Sequence, residues 1–228
     1  MRVLVKRATG ALAALLALAG CGGTGAGSAD RAGPPTVDVY SSLPLLGPSS
    51  SQGAAILNGI KLALAQANGR AGRWTVDYKS LDDSSAASGG WDPGQTEANA
   101  QKAASDPKAV LYIGELDSDA SAVSIPVLNE AGIAQISPAS TYAGLTTALP
   151  GAASGEPMKY DPTGTPTFLR LAPIDSIQGA ADLIAMKQAG CQNVAVADDG
   201  GLYGSGLAAL LQLEKSRYGV TIAASTTV

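Results

Sequence analysis

Histidine is absent from the 228 residues. That gap removes the usual general base, every triad built on an imidazole and the commonest metal ligand. No G-x-S-x-G run supplies a nucleophile elbow. Charge is scarce as well: charged residues make up 15% of the chain, against a usual ~25%. The formal balance is −4 with no basic run, which argues against nucleic-acid binding. Hydrophobic content, at 46%, is ordinary for a globular domain. Long apolar runs are missing too. The stretch from Ala8 to Ala19 is about a dozen residues, roughly 18 Å of helix at ~1.5 Å each, well short of a ~30 Å bilayer core.

That short run has a context. Arg2, Lys6 and Arg7 precede it, and Leu18-Ala19-Gly20-Cys21 closes it. A basic start, an apolar middle and small residues at the end make a cleaved export leader. Leu-Ala-Gly-Cys resembles the lipobox of bacterial lipoproteins, in which Cys21 becomes the lipidated first residue; stable anchoring takes two or more acyl chains. Removing residues 1–20, with three positive charges and no acid, leaves a mature chain near −7 from the −4 of the whole. With Cys21 lipidated, Cys191 is alone and reads as a buried small hydrophobe. Residues 21–35, rich in Gly, Ala, Ser and Pro, read as a flexible tether, and the ordered chain is expected to start at Thr36.

From there, short apolar strands alternate with amphipathic helices. Strands are predicted at 37–40, 74–79, 110–113, 133–137, 167–171, 194–197 and 220–223. Helices are predicted at 52–68, from Pro93 to about Ser105, 118–130, 175–189 and 202–218. In the first helix Ile56, Ile60 and Leu64 repeat every fourth residue. Pro126 is expected to kink the third. This order specifies an α/β fold with parallel sheets covered by helices on both faces. Ligands in such folds collect where strands end and helices begin.

Four of those junctions carry polar residues: Gly47 to Gly53, Glu115-Leu116-Asp117-Ser118, Ser137 to Thr141, and Asp198 to Gly204. Ser118 stands at a helix N-terminus, where it either caps its own helix or helps hold a carboxylate on the positive end of the dipole. Thr141 offers a hydroxyl and Ala139 a carbonyl. The pairs Asp82-Asp83 and Asp198-Asp199 read as solvated loop acids, with a hard cation as the alternative. Gly204-Ser205-Gly206-Leu207-Ala208-Ala209 fits a dinucleotide-binding pattern, but it starts beyond its strand and no acid follows the next strand.

Taken together, LLGPSSSQGAAILNGIKLAL, YIGELDSDAS, Asn129 to Ile133, Ile136 to Thr141, Phe168-Leu169-Arg170, Asp199 and Tyr203-Gly204 occur in an order and spacing that resemble the leucine/isoleucine/valine-binding family. These are the substrate-binding lipoproteins of ABC importers. The resemblance implies a periplasmic-binding-protein-like fold with a first lobe at 36–171 and the start of a second at 172–228. It implies no enzyme, no cofactor and no metal. Ser118 and Thr141 fall where the family binds a ligand α-carboxylate. Ala139 falls where a carbonyl accepts from the α-ammonium, with Ser140 between them, and Tyr203 falls on the second-lobe tyrosine. Gln52 falls where some relatives place an aromatic contact. Asp117 and Asp119, beside an anion site, must point away. The implied partners are an amino acid or similar small polar solute (relatives take branched-chain amino acids, amides, urea or aromatic acids), ABC permease subunits, and the membrane through the lipid, on the extracytoplasmic face. The family's ~350-residue pattern makes this chain look truncated. The expected result is low stability, with Val194, Val196, Leu210 and Leu211 short of a core. Alternatives are a ligand-sensing receptor ectodomain of the same fold and, more remotely, a dinucleotide-binding enzyme.

Overall fold

In a computed structural model, which describes residues 33–191 and 193–228, the chain alternates strand and helix throughout. The leader and Cys21 lie outside the described residues. Strand β1 (Thr36–Leu43) leads to α1 (Ser50–Gln66), then to β2 (Arg70–Ala71) and β3 (Trp74–Asp82), a tight antiparallel pair. The Ser/Gly-rich stretch folds on itself as β4 (Ser84–Ser85) and β5 (Gly90–Trp91). Next come α2 (Pro93–Ala104), β6 (Ala109–Ile113), α3 (Ser118–Glu130), β7 (Ala134–Ser137) and β8 (Phe168–Arg170). The long connection between β7 and β8 carries two single helical turns, Ala143–Leu145 and Met158–Tyr160. Then follow α4 (Asp175–Gln188), β9 (Asn193–Asp198), α5 (Leu202–Tyr218) and β10 (Thr221–Thr227).

Five parallel strands and the short β2 form one sheet in the order β2-β3-β1-β6-β7-β8; β9 and β10 pair in parallel as a second. In the large sheet the chain goes from β1 to β3 on one side, then crosses to β6 on the other. The crevice at such a switch point, beyond the strand ends, is where ligands sit in these folds.

Local chemistry explains the element ends. Asp92 caps α2 by accepting from the Gln95 amide at 2.9 Å, with Pro93 in the first turn. Gly219 ends α5 in the left-handed conformation, φ 71°. Helix α3 runs through Pro126 over the span expected from sequence.

The two faces of the large sheet differ. On one, Tyr40 and Tyr112 pack with Ala100, Ala103, Leu128 and Ile133 under α2 and α3. The rim of this core holds a charge cluster in which Lys79 bridges Asp38 and Asp106 (2.8 Å to the latter), and the Tyr40 hydroxyl also donates to Asp106. On the other face α1 buries only Gly53. Between α1 and the strands an apolar groove of about 580 Å³ stays open, lined by Ile56, Ile60, Leu64, Val39, Leu111, Ile113 and Ile136 among others. Cover on this face is therefore partial, because one helix spans fewer strands than the pair opposite.

Beyond β8, Leu183, Leu211, Val220 and Ile222 form a further cluster, with Val194 and Val196 packed against it. Leu210 and Leu211 are buried, contrary to the expectation that they would lack a core: α4 and α5 pack on each other, and Leu210 also meets the chain at Gly151. Cys191 is exposed rather than buried, since it follows Gly190 in the turn out of α4 (φ 74°).

Candidate functional site

Strand ends and helix starts meet in a cleft of about 580 Å³. Gln52 comes from the first turn of α1, Leu116 to Asp119 from the entry to α3, and Ala139 and Thr141 from the loop after β7. Gln178 comes from α4, and Asp199, Gly201 and Tyr203 from the entry to α5; Trp91 completes the lining. Five of the six binding residues expected from sequence thus share one cavity: Gln52, Ser118, Ala139, Thr141 and Tyr203.

Ser118 is the best-defined of them. Asp117 occupies the N-cap position of α3 and makes no side-chain cap bond. The Ser118 hydroxyl oxygen, 4% exposed, accepts from the amides of Thr141 and Tyr142, each at 3.2 Å. With both lone pairs occupied, what remains is one O–H donor at the cleft wall. That complements an anionic oxygen better than it does a cation.

Ser140 is a correction. It is 1% exposed and absent from the cleft lining. Its hydroxyl bonds Ser121 at 2.7 Å and the Asp117 carbonyl at 3.0 Å, and its amide donates to Ser137 at 2.8 Å. It joins the β7 loop to α3 from behind. Arg170 holds the same loop, donating to the Tyr142 carbonyl at 2.8 Å and to Thr146 at 2.7 Å. Tyr203, 39% exposed, has its hydroxyl accepting from the Gln178 amide at 2.8 Å.

The two acids beside Ser118 diverge. Asp119 lines the cleft but is engaged: both its oxygens accept from the Leu202 amide, at 2.9 and 3.0 Å, so it caps α5 from a distant helix. Asp117 lines it too, without a side-chain cap bond. Burial, then the charges of Asp119 and Asp199, push its carboxyl above the ordinary range.

One further expectation needs correcting, and the discounted dinucleotide pattern has a structural explanation. Asp83 is no solvated loop acid; it is fully buried beside Glu115. The Gly204–Ala209 pattern lies inside α5, where a Cβ on Gly206 would come 2.6 Å from the Tyr142 ring, so this glycine serves helix packing. Among the described residues no group of three or more His, Cys, Asp or Glu is placed to hold a metal ion. No helix there is long and apolar enough to cross a membrane. Trp91 and Gln178 were not anticipated as lining. A tryptophan between a turn and a helix cap was the one available signal for Trp91; an exposed helical glutamine gives none.

No curated protein matches the chain in sequence. Among solved structures it is similar to a solute-binding protein of an ABC transporter from Rhodopseudomonas palustris BisB5 in complex with 3,4-dihydroxybenzoic acid (19% identity, TM-score 0.68, 85% of this chain and 47% of that one). It is similar also to a leucine-binding protein from Thermotoga maritima (24%, 0.66, 83% and 48%). A third is an ABC-transporter substrate-binding protein from Desulfitobacterium hafniense in complex with leucine (20%, 0.64, 85% and 51%). The chain spans about half the length of each. A sequence profile described as periplasmic binding protein matches residues 41–228, most of the chain. With that match and the strand-end cleft in agreement, the chain belongs to the periplasmic binding protein family, a non-enzymatic solute-binding fold that works outside the cytoplasm.

Proposed function

We propose that the cleft binds an amino acid and that the chain serves as the substrate-binding lipoprotein of an ABC importer. The observation that carries this reading is Ser118, whose hydroxyl has both lone pairs filled by backbone amides and its proton left for a carboxylate oxygen. On this reading Thr141 adds a second donor, the Ala139 carbonyl takes the α-ammonium, and Gln52 and Tyr203 enclose the rest. Residues 36–171 act as the first lobe and 172–228 begin the second. Permease subunits are the protein partner. The bound acids and leucine of the similar structures agree with a carboxylate-bearing ligand.

Ser118→Ala and Thr141→Ala are each expected to weaken amino-acid binding by about 10- to 150-fold, the worth of a lost charge-assisted hydrogen bond of ~1.5–3 kcal/mol. Tyr203→Ala should act mainly on the dissociation rate. Isothermal calorimetry on the purified chain decides: unchanged affinity in both Ser118→Ala and Thr141→Ala refutes the assignment.

Lipidation at Cys21, with residues 1–20 removed, belongs to the same proposal and rests on Leu18-Ala19-Gly20-Cys21. Mass spectrometry of the N-terminal peptide from membranes should show a diacylglyceryl-modified Cys21. An unmodified cysteine or a retained leader rejects it.

A further inference from the structure

The charge of the cleft is one-sided. Asp117, Asp119 and Asp199 line it, and among the described residues no lysine or arginine does. Their carboxylates are not equally engaged. Asp119 gives both oxygens to the Leu202 amide, and Asp199 accepts from the Gly201 amide at 3.0 Å. Asp117 is half-buried in the lining and makes no side-chain cap bond; its Oδ2 is buried without a partner, which leaves the other oxygen to face the cleft. A partly desolvated carboxylate is unfavourable until a donor, best a cation, pairs with it.

An amino acid with an apolar side chain brings one ammonium and one carboxylate. Its net charge is zero, so it leaves the three wall acids uncompensated and adds a fourth carboxylate beside them. A second cation on the ligand changes that balance. Trp91, in the same lining, is an indole of the type that attracts guanidinium and ammonium groups.

We infer that the ligand's side chain is itself cationic: the cleft selects a basic amino acid, its distal ammonium or guanidinium meeting Asp117, over branched-chain or aromatic acids. The inference rests on the carboxylate-binding role proposed for Ser118 and Thr141, which fixes the other end of the ligand.

Calorimetry with L-lysine, L-arginine, L-leucine and 4-hydroxybenzoate tests it, on the natural chain and on Asp117→Asn. Lysine or arginine is expected to bind at least about tenfold tighter than leucine, and Asp117→Asn to narrow that ratio. The preference should also shrink between low and high sodium chloride, as screening requires; this readout needs no variant and so survives a misfolded Asp117→Asn. Leucine or 4-hydroxybenzoate binding as tightly as lysine overturns the inference, while a Ser118→Ala loss with those same ligands leaves the carboxylate reading standing. A panel in which no compound binds overturns both.

Discussion

Glu156→Ala is expected to lower the unfolding free energy by about 3–5 kcal/mol, the range for removing one partner from a buried charged network. Glu156 lies in the loop between β7 and β8, its side chain fully buried. Four donors converge on it: the hydroxyls of Tyr142 (2.7 Å) and Tyr160 (2.8 Å), the Ala153 amide (2.7 Å) and the Lys159 ammonium (2.8 Å). Burial alone raises its pKa, but Lys159, the two tyrosines and the amide outweigh it and hold the carboxyl below its usual range. Gly144 is required there, because any Cβ would strike the Glu156 carboxylate. The two tyrosines pack with Ile125, Leu145 and Phe168, so this one carboxylate fastens a long loop to α3. At ~2–4 °C per kcal/mol for a chain of this size, thermal melting should fall by roughly 6–20 °C. Lys159→Ala should do little, since that ammonium is half-exposed and returns to water. A Glu156→Ala protein melting within a degree or two of the natural chain would sink the claim. The stability Glu156 supplies is present above the unfolded carboxyl pKa and is lost as pH falls.

Asp83 and Glu115 should show the opposite dependence. Both are 0% exposed. Tyr112 donates to one Glu115 oxygen at 2.9 Å, while the other Glu115 oxygen and both of Asp83 have no protein donor. Two such neighbours cannot both be ionised, and they titrate as a pair holding a proton. Burial, with Asp83 adjacent, drives Glu115 well above its ordinary value; burial also pushes Asp83 up to about 6. The folded chain thus keeps protons that the unfolded chain has released above pH ~4. Stability from the pair is complete below that pH and is lost as pH rises through about 6. Asp83→Asn removes the Asp83 part of the penalty, so the variant should gain on the natural chain as pH rises from about 4 to about 6 and keep that gain above it, by about 3 kcal/mol at ~1.36 kcal/mol per unit. Urea unfolding across that interval measures it; a constant difference between the two proteins at every pH would contradict the shared proton.

The contrast between Glu156 and the Asp83–Glu115 pair marks how far sequence reading reaches here. Helix α3 and helix α5 are found over the spans read from sequence, because glycines in the left-handed conformation, Gly132 and Gly219, follow their last turns; the start of α5 is instead capped by the distant Asp119. The cleft, too, was legible in outline, since Ser118, Thr141 and Tyr203 sit at strand-to-helix junctions that an α/β fold must bring to one edge. What was missed depends on distant partners. Asp119 looks like an anion-site liability until Leu202, 83 positions later, supplies its amide. Asp83 looks solvated beside Asp82 until Tyr112 and Glu115 close over it. Ser140 looks like its neighbour Thr141 until Ser121 draws it inward. The two-residue strands β2, β4 and β5 are too short to leave a period.

The open groove beside α1 bears on how this molecule reports its own unfolding. Environment-sensitive fluorescent dyes brighten on apolar surface, and a bright signal is ordinarily taken to indicate a loosened, partly folded state. In this chain Ile56, Ile60, Leu111, Ile113 and Ile136 present such a surface while every strand is still paired. Dye fluorescence at the start of a melt therefore registers the native sheet face, and the dye, by occupying that face, stabilises the state it is meant to follow. Trp74, at the head of β3, and Trp91, in the cleft, are the chain's two indoles. Variants that each keep one of the two would separate what a dye merges, sheet opening at Trp74 and changes in the cleft at Trp91.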